Sequence, residues 1–373
     1  MKLFEGMDPL TMQQEWAKTT LGKKFIVSPF SVLNAREGFW QERKRTWLAL
    51  GIESEVGRDA VTCQIGDKAT WEKKRNKTSP GGSPRPACDY HKRERGTGSG
   101  HAIKGSEAGR TKQATGRQDN LTWQGAASSF DSIEVKAGSR KTTDSQGTSI
   151  FDPVLCELAY SWFCPPGGQI VDPFAGGSVR GIVAHKLGYR YWGCDLRAEQ
   201  ITANGEQAAG ITPDNSPEWI CGDALEELDE SPKADLIFTC PPYGDLEVYC
   251  DDPRDLSNME YHTFLATYKR IILRACKRLK ENRFACIVVG DFRDKRTGNY
   301  RNFVSDTIAA FLEQGLHLYN EAILVTAVGS LPIRITKQFE ASRKLGKTHQ
   351  NILVFVKGDG KSATKAIREG SKK

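Results

Sequence analysis

A strand that cannot continue constrains this chain more than any other feature. In Asp235-Leu236-Ile237-Phe238-Thr239-Cys240-Pro241-Pro242-Tyr243, a short apolar run of the central-parallel-strand kind is followed by two prolines and an aromatic. Neither proline can donate to a sheet ladder, so the strand must end there. In an open α/β sheet, ligands bind at the carboxyl ends of the strands. A stiff Pro-Pro corner at that edge would hold a backbone carbonyl and a ring in place to grip a flat, polar group. Taken alone, the motif also fits a loop that merely contains Pro-Pro-Tyr.

The sequence on either side narrows the choice. A helix is predicted over 153–163, then the strand Gln169-Ile170-Val171, a glycine turn, and a helix over 179–187. Tyr189 to Cys194 reads as a second strand and 198–208 as a helix. Trp219-Ile220-Cys221 is a third strand, and the run ending in Pro-Pro a fourth. A long helix over 259–280, a fifth strand over 285–289 and a helix over 303–314 follow. Residues 319–325 and 351–356 would close the sheet as an antiparallel pair. Short apolar strands alternating with helices predict a doubly wound α/β sheet.

Four strand ends present, in order, Asp172-Pro173-Phe174-Ala175-Gly176-Gly177-Ser178, Asp195, Asp223 and the Pro-Pro corner. With right-handed crossovers these ends share one edge. A glycine turn lets backbone approach a ligand closely. An acidic residue closing the second strand is placed to accept hydrogen bonds from ribose hydroxyls. Asp223 would meet the exocyclic amine of an adenine. Each aspartate equally fits a helix N-cap. The turn lacks a Gly-x-Gly-x-x-Gly pattern, which argues against a nicotinamide-dependent dehydrogenase.

On these residues the chain resembles the DNA amino-methyltransferases, the N6-adenine and N4-cytosine enzymes. Asp172-Pro173-Phe174-Ala175-Gly176 resembles their S-adenosylmethionine loop, and Thr239-Cys240-Pro241-Pro242-Tyr243 their catalytic motif. Thr148-Ser149-Ile150-Phe151-Asp152-Pro153 is similar to the segment that contacts the methionine part. Residues 349–358 are similar to the last strand, and 28–45 to phage and prophage DNA methylases. The resemblance covers about residues 146–358. It implies a Rossmann-like methyltransferase sheet and S-adenosyl-L-methionine as cofactor. It places Phe151, Asp172, Pro173, Phe174, Ala175, Gly176, Gly177, Asp195, Leu196, Asp223 and Ala224 at the cofactor. Cys240, Pro241, Pro242 and Tyr243 would be catalytic, acting on a flipped base in double-stranded DNA. Two departures stand out. Ser178 occupies the place of the family's second glycine. Cys240 stands where the family's side chain accepts a hydrogen bond from the target amine, and a thiol is a poor acceptor. Related Pro-Pro-Tyr loops serve RNA and protein glutamine, and a fold-keeping, non-catalytic DNA-binding protein is a further alternative. A covalent route through Cys240 would require a lowered thiol pKa.

Charge divides the chain. Residues 146–358 hold 23 Lys and Arg against 27 Asp and Glu, whereas 59–145 hold 16 against 10. The stretch 1–58 carries a net +2, and the tail 359–373 a net +3. Four parts are expected: an N-terminal segment over 1–58, a basic and largely flexible insert over 59–145, a catalytic domain over 146–358 and a basic tail. Leu121-Thr122-Trp123 and Ile133-Glu134-Val135 would be short ordered islands in the insert. Positive charge outside the catalytic part suits a polyanion held by appended parts, or simply a solvated segment. In the N-terminal segment a strand broken at Pro29 and a helix over 35–50, capped by Asn34, are expected. Its Phe39, Trp40, Arg43, Lys44 and Trp47 suit either nucleic-acid stacking or an amphipathic core helix. Arg334, Lys337, Arg343, Lys344 and Lys347 form a second basic stretch suited to phosphates. Ten scattered cysteines, with no signal-peptide-like or membrane-spanning run, lead to an expectation of free thiols in the cytoplasm of a bacterial or phage-infected cell. Cys63, Cys88, His91 and His101 match no zinc spacing, so no metal is expected.

Overall fold

Alternate residues of one buried strand must face opposite ways, so a sheet covered on both faces needs apolar side chains at every position. The computed structural model, which describes residues 25–53, 62–63, 151–212, 217–329 and 331–370, shows this arrangement. The strands are β1 (Val32–Asn34), β3 (Gln169–Asp172), β4 (Arg190–Asp195), β5 (Glu218–Cys221), β6 (Ala234–Thr239), β8 (Leu279–Val289), β9 (His317–Val325) and β10 (His349–Lys357). They form one eight-stranded sheet in the order β1-β9-β10-β8-β6-β3-β4-β5. A two-residue strand β2 (Thr62–Cys63) pairs antiparallel with β7 (Glu247–Val248) apart from it.

Along β6, Leu236 and Phe238 enter one core while Ile237 enters the other; along β8, Cys286 and Val288 oppose Ala285, Ile287 and Val289. Helices α2 (Pro153–Phe163) and α3 (Val179–Lys186) contribute to the first core. Helices α5 (Ala224–Glu230), α6 (Tyr261–Arg278) and α7 (Phe303–Leu312) contribute to the second. α4 (Ala198–Ile211) follows β4. α6 buries Phe264, Tyr268, Ile271, Ile272 and Ala275, which is one face at helical spacing. α2 starts where it does because Asp152 Oδ1 accepts the Val154 amide and Pro153 fills a position needing no donor.

Strands β3, β4 and β5 run outward one way and β6 and β8 the other, all parallel. The order therefore reverses between β3 and β6. The closing pair of β9 and β10 is antiparallel, as the sequence predicted, with Asn351 opposite Ile323.

The N-terminal residues differ from expectation. β1 joins the sheet edge in parallel with β9, Val32 opposite Ile323. The helix is shorter than expected, α1 (Gly38–Leu48), with Glu37 at its cap; Asn34 instead accepts the Arg36 amide. Trp40 is only 1 % exposed and its Nε1 donates to Asp152. Arg43 and the Trp47 indole both bond Glu157 of α2. Phe39 packs against the same core, so all three aromatics and Arg43 are engaged within the fold, as in a core helix. The described parts of residues 1–67 and 146–373 form one compact unit.

Three helices were not read from the sequence: α5, α8 (Leu331–Ser342) and α9 (Gly360–Gly370). α9 turns most of the expected basic tail into a helix that buries Ala363. The expected insert over 59–145 (β2 apart), its islands, Cys88, His91, His101 and Thr148 to Ile150 lie outside the described residues.

Candidate active site at the switch point of the sheet

The reversal between β3 and β6 opens a crevice at their carboxyl ends, where open α/β sheets place ligands. A cavity of about 640 Å³ lies there, a size ordinary for small-molecule sites. Its lining includes Phe151, Pro173, Phe174, Gly176, Gly177, Asp195, Leu196, Asp223, Ala224, Cys240, Pro241, Pro242 and Tyr243. One cavity therefore gathers every residue expected at the cofactor or at the catalytic corner except Asp172 and Ala175.

Those two are structural. Asp172 is fully buried. Its Oδ1 accepts the Phe174 amide at 3.1 Å and the Thr239 hydroxyl at 2.5 Å. Its Oδ2 accepts Arg180 Nε at 2.5 Å and the Tyr191 hydroxyl at 2.8 Å. Four donors saturate the carboxylate, which leaves no lone pair for a ligand. Ala175 is also fully buried, beside Gly193, where a β-carbon would meet that of Ala175 at 2.9 Å.

Arg180 was not read as a site residue, since it lies inside a helix. Its Nη2 donates to the carbonyls of Phe174 and Ala175, and its guanidinium lies 4.7 Å from the Phe151 ring centroid. Burial works against its charge, but Asp172, with Tyr191, Cys240 and Cys156 adding to it, more than offsets that and holds it firmly protonated. One arginine thus braces the glycine turn from below.

The turn itself is shaped by Gly176, whose φ of 51° favours glycine. Its amide donates to Asp195 Oδ2 at 3.0 Å, and its carbonyl accepts Asn204 Nδ2 at 2.7 Å. Asp195 Oδ1 accepts the Arg197 amide at 3.0 Å. Each Asp195 oxygen thereby accepts one backbone amide and retains capacity for another donor, such as a ligand hydroxyl. Burial raises its pKa, opposed by those two amides. Asp223 does two things at once. Its Oδ1 caps α5 through the Leu225 amide at 2.8 Å, and it lines the cavity. Ser178, in the place of a glycine, donates to Gln207 Oε1, and Gln207 in turn donates to the Glu53 carbonyl at 3.0 Å.

At the Pro-Pro corner the Tyr243 hydroxyl lies 3.8 Å from Cys240 Sγ and accepts Gln350 Nε2 at 3.1 Å. The Tyr243 ring meets Phe292 and Phe303 edge-on, each 6.3 Å away. Gly244, at φ 53°, follows directly; a β-carbon there would meet Phe292 at 2.9 Å. Burial pushes the Cys240 thiol up, with Arg180 acting in the opposite sense. A thiol in that state is no ready nucleophile, which disfavours the covalent route. Gln350 had no signal in the sequence beyond its place at the start of the last strand.

Among the described residues no cluster of His, Cys, Asp or Glu could hold a metal ion. No helix among them is long and apolar enough to cross a membrane.

The fold and the cavity define a doubly wound α/β protein with a pocket at its switch point, beside a Pro-Pro-Tyr corner. No family model matches the chain, and no curated protein matches it. Solved structures do resemble it. TrmN from Thermus thermophilus is 15 % identical at a TM-score of 0.37, over 56 % of this chain and 49 % of that one. The magnesium protoporphyrin IX methyltransferase ChlM from Synechocystis, with bound SAM, is 12 % identical at 0.35, over 55 % and 76 %. TTHA0409, also from Thermus thermophilus and described as a candidate DNA modification methylase, is 22 % identical at 0.28, over 37 % and 52 %. The chain thus spans about half the length of TrmN and of TTHA0409.

Proposed function

We propose that the protein is an S-adenosylmethionine-dependent methyltransferase acting on the exocyclic amine of adenine (N6) or cytosine (N4) in DNA. One observation carries this reading: Asp195 and Tyr243, from strand ends on either side of the switch point, line a single cavity. The donor set suits the cofactor. Asp195 has acceptor capacity for ribose hydroxyls, Asp223 for an adenine amine, and Gly176 leaves the turn without a side chain. Phe151 and Phe174 supply apolar wall.

When bound, the cofactor would supply an activated methyl on a sulfonium. The chain's own residues do the rest. Tyr243 offers a ring face on which an extruded base can stack. The Pro241 carbonyl and Cys240 Sγ are the groups at the corner that can receive the hydrogens of the target amine. Drawing those hydrogens away readies the nitrogen lone pair for in-line attack. Positioning supplies most of the rate, with no covalent intermediate.

A thiol is a poor hydrogen-bond acceptor, and the Cys240 sulfur already has the Tyr243 hydroxyl 3.8 Å away as a partner. That single feature favours the rival reading of a binding protein without turnover. Label transfer from methyl-tritiated S-adenosylmethionine to DNA, tRNA and ribosomal RNA decides between them. Incorporation into DNA that disappears in Tyr243→Ala is the expected result. Incorporation only into RNA replaces DNA by RNA as substrate. Cofactor binding with no incorporation anywhere leaves the binding-protein reading.

A further inference from the structure

β9 runs parallel to β1 and antiparallel to β10, and β10 is antiparallel to β8. The carboxyl end of β9 and the start of β10 therefore lie on the same sheet edge as the Pro-Pro corner. Between them the chain leaves the sheet for residues 326–348 and builds α8 there. The excursion is pinched at its base, since a β-carbon on Gly346 would meet Leu331 at 2.6 Å. It is seated on the loop after β8: Lys347 Nζ donates to the Asp291 carbonyl at 2.9 Å, and Lys344 lies against Gly298. The same loop carries Phe292, one of the two rings that meet Tyr243. Thr326, Ala327 and Lys347 line the cavity.

Charge sets this excursion apart. Residues 326–348 hold five Lys and Arg against one acid, while the rest of 146–358 holds 18 against 26. Lys337 and Arg343 are exposed and have no carboxylate partner among the described residues. Arg343 takes a left-handed φ of 54° and lays its guanidinium 5.3 Å from the Phe339 ring centroid. Beside these cations stand bare apolar side chains: Ile333 is 83 % exposed and Leu345 71 %. Water is a poor environment for them, so the face suits an occupant that is anionic outside and apolar within. The basic 59–145 segment of this chain has the wrong sign to cover it. An acidic protein would satisfy the cations but would not call for bare apolar side chains beside them. A duplex satisfies both, through its phosphates and through the stack of its bases.

We propose that residues 326–348 are the docking element for duplex DNA, with Lys337 and Arg343 on phosphates and Ile333 and Leu345 wedged at the base stack beside Tyr243. The choice of DNA rests on the methyl-transfer reading above. The wedge would occupy the space vacated by the base that Tyr243 receives.

The test uses the full chain and a fluorescein-labelled 30-base-pair duplex, with anisotropy read across a salt series. Each phosphate left without its cation removes about 0.9 from the slope of log affinity against log salt. Lys337→Ala/Arg343→Ala should therefore flatten that slope by about 1.8 and weaken binding roughly 60-fold near 0.1 M salt. Titration with S-adenosylmethionine checks that the variant keeps its fold. Ile333→Ser/Leu345→Ser should hold affinity within a few-fold yet lose the fluorescence rise of a 2-aminopurine at the target position. An unchanged slope in the first variant, with cofactor binding intact, overturns the proposal while leaving methyl transfer standing. So does tighter binding of single-stranded RNA with the same slope change. Self-association of the wild type that the variant abolishes makes the face a contact between copies and overturns it as well. A flattened slope together with no methyl incorporation into any nucleic acid keeps the docking element and removes the catalytic reading.

Discussion

Asp172 Oδ1 accepts the Thr239 hydroxyl at 2.5 Å, which joins the turn after β3 to the strand that delivers the Pro-Pro corner. The same carboxylate holds Arg180, and Arg180 holds the Phe174 and Ala175 carbonyls. Two halves of the cavity, supplied by strands on either side of the switch point, are thus fixed to one buried charge.

Replacing Asp172 should therefore disturb both halves at once. Asp172→Asn leaves Arg180 buried without its countercharge, a change that costs about 3–5 kcal/mol in comparable buried pairs. Thr239→Val removes one hydroxyl and should cost about 1–3 kcal/mol. Thermal denaturation measures both. A melting temperature for Asp172→Asn equal to that of the wild type would sink this account.

The buried thiol makes a statement about pH. Because burial raises the Cys240 pKa, its thiolate is scarce at neutral pH and grows only as pH climbs past the ordinary thiol range. The Cys221 thiol is raised too, by burial and by Asp195, but it is exposed, so iodoacetamide at pH 7.5 should modify it before Cys240, with Cys240 reacting at higher pH. Peptide mass spectrometry reads the two rates. Rapid alkylation of Cys240 at pH 7.5 would reopen the covalent route.

Cys240 also limits the proposed reaction. A hydroxyl is a better hydrogen-bond acceptor than a thiol. Cys240→Ser should raise the single-turnover rate of methyl transfer by roughly tenfold, the equivalent of one neutral hydrogen bond gained in the transition state. A slower Cys240→Ser enzyme with intact cofactor binding would show that sulfur is needed rather than tolerated.

Gln350 and Tyr243 act through the same hydroxyl. Gln350→Leu and Tyr243→Phe should each lower the rate of transfer a few-fold while leaving cofactor affinity unchanged. Their effects should not add, since Tyr243→Phe removes the hydroxyl and with it the same hydrogen bond that Gln350→Leu removes. Additive losses in the double variant would mean that the two side chains work independently.

Trp40 tests whether the N-terminal residues complete the unit. Trp40→Ala empties a core position and removes the indole's hydrogen bond to Asp152, so a loss of about 3–5 kcal/mol is expected. A shift of less than about 1 °C in melting temperature, far below what a change of that size produces, would place α1 outside the cooperative core.

Much of this arrangement was already legible in the chain. The Pro-Pro stop, the aspartates closing successive strands and the apolar runs between them mark a doubly wound sheet, because proline's missing donor and the pattern of burial are local properties. Helix α2 falls at 153–163 as read, since Asp152 and Pro153 make its start a local event. Nothing local, however, tells whether an aspartate faces a ligand or the protein. Asp172 and Asp195 stand at equivalent strand ends, yet the first is saturated by Thr239, Arg180, Tyr191 and the Phe174 amide. The second accepts two amides and opens onto the cavity. Three of the four groups that bond Asp172 come from other elements, and only folding brings them within reach. The place of β1 in the sheet, the reach of Gln350 to Tyr243 and the rise of α8 beside the corner have the same origin. They depend on contacts between residues far apart in the chain, whose partners are chosen by packing and not by their neighbours in sequence.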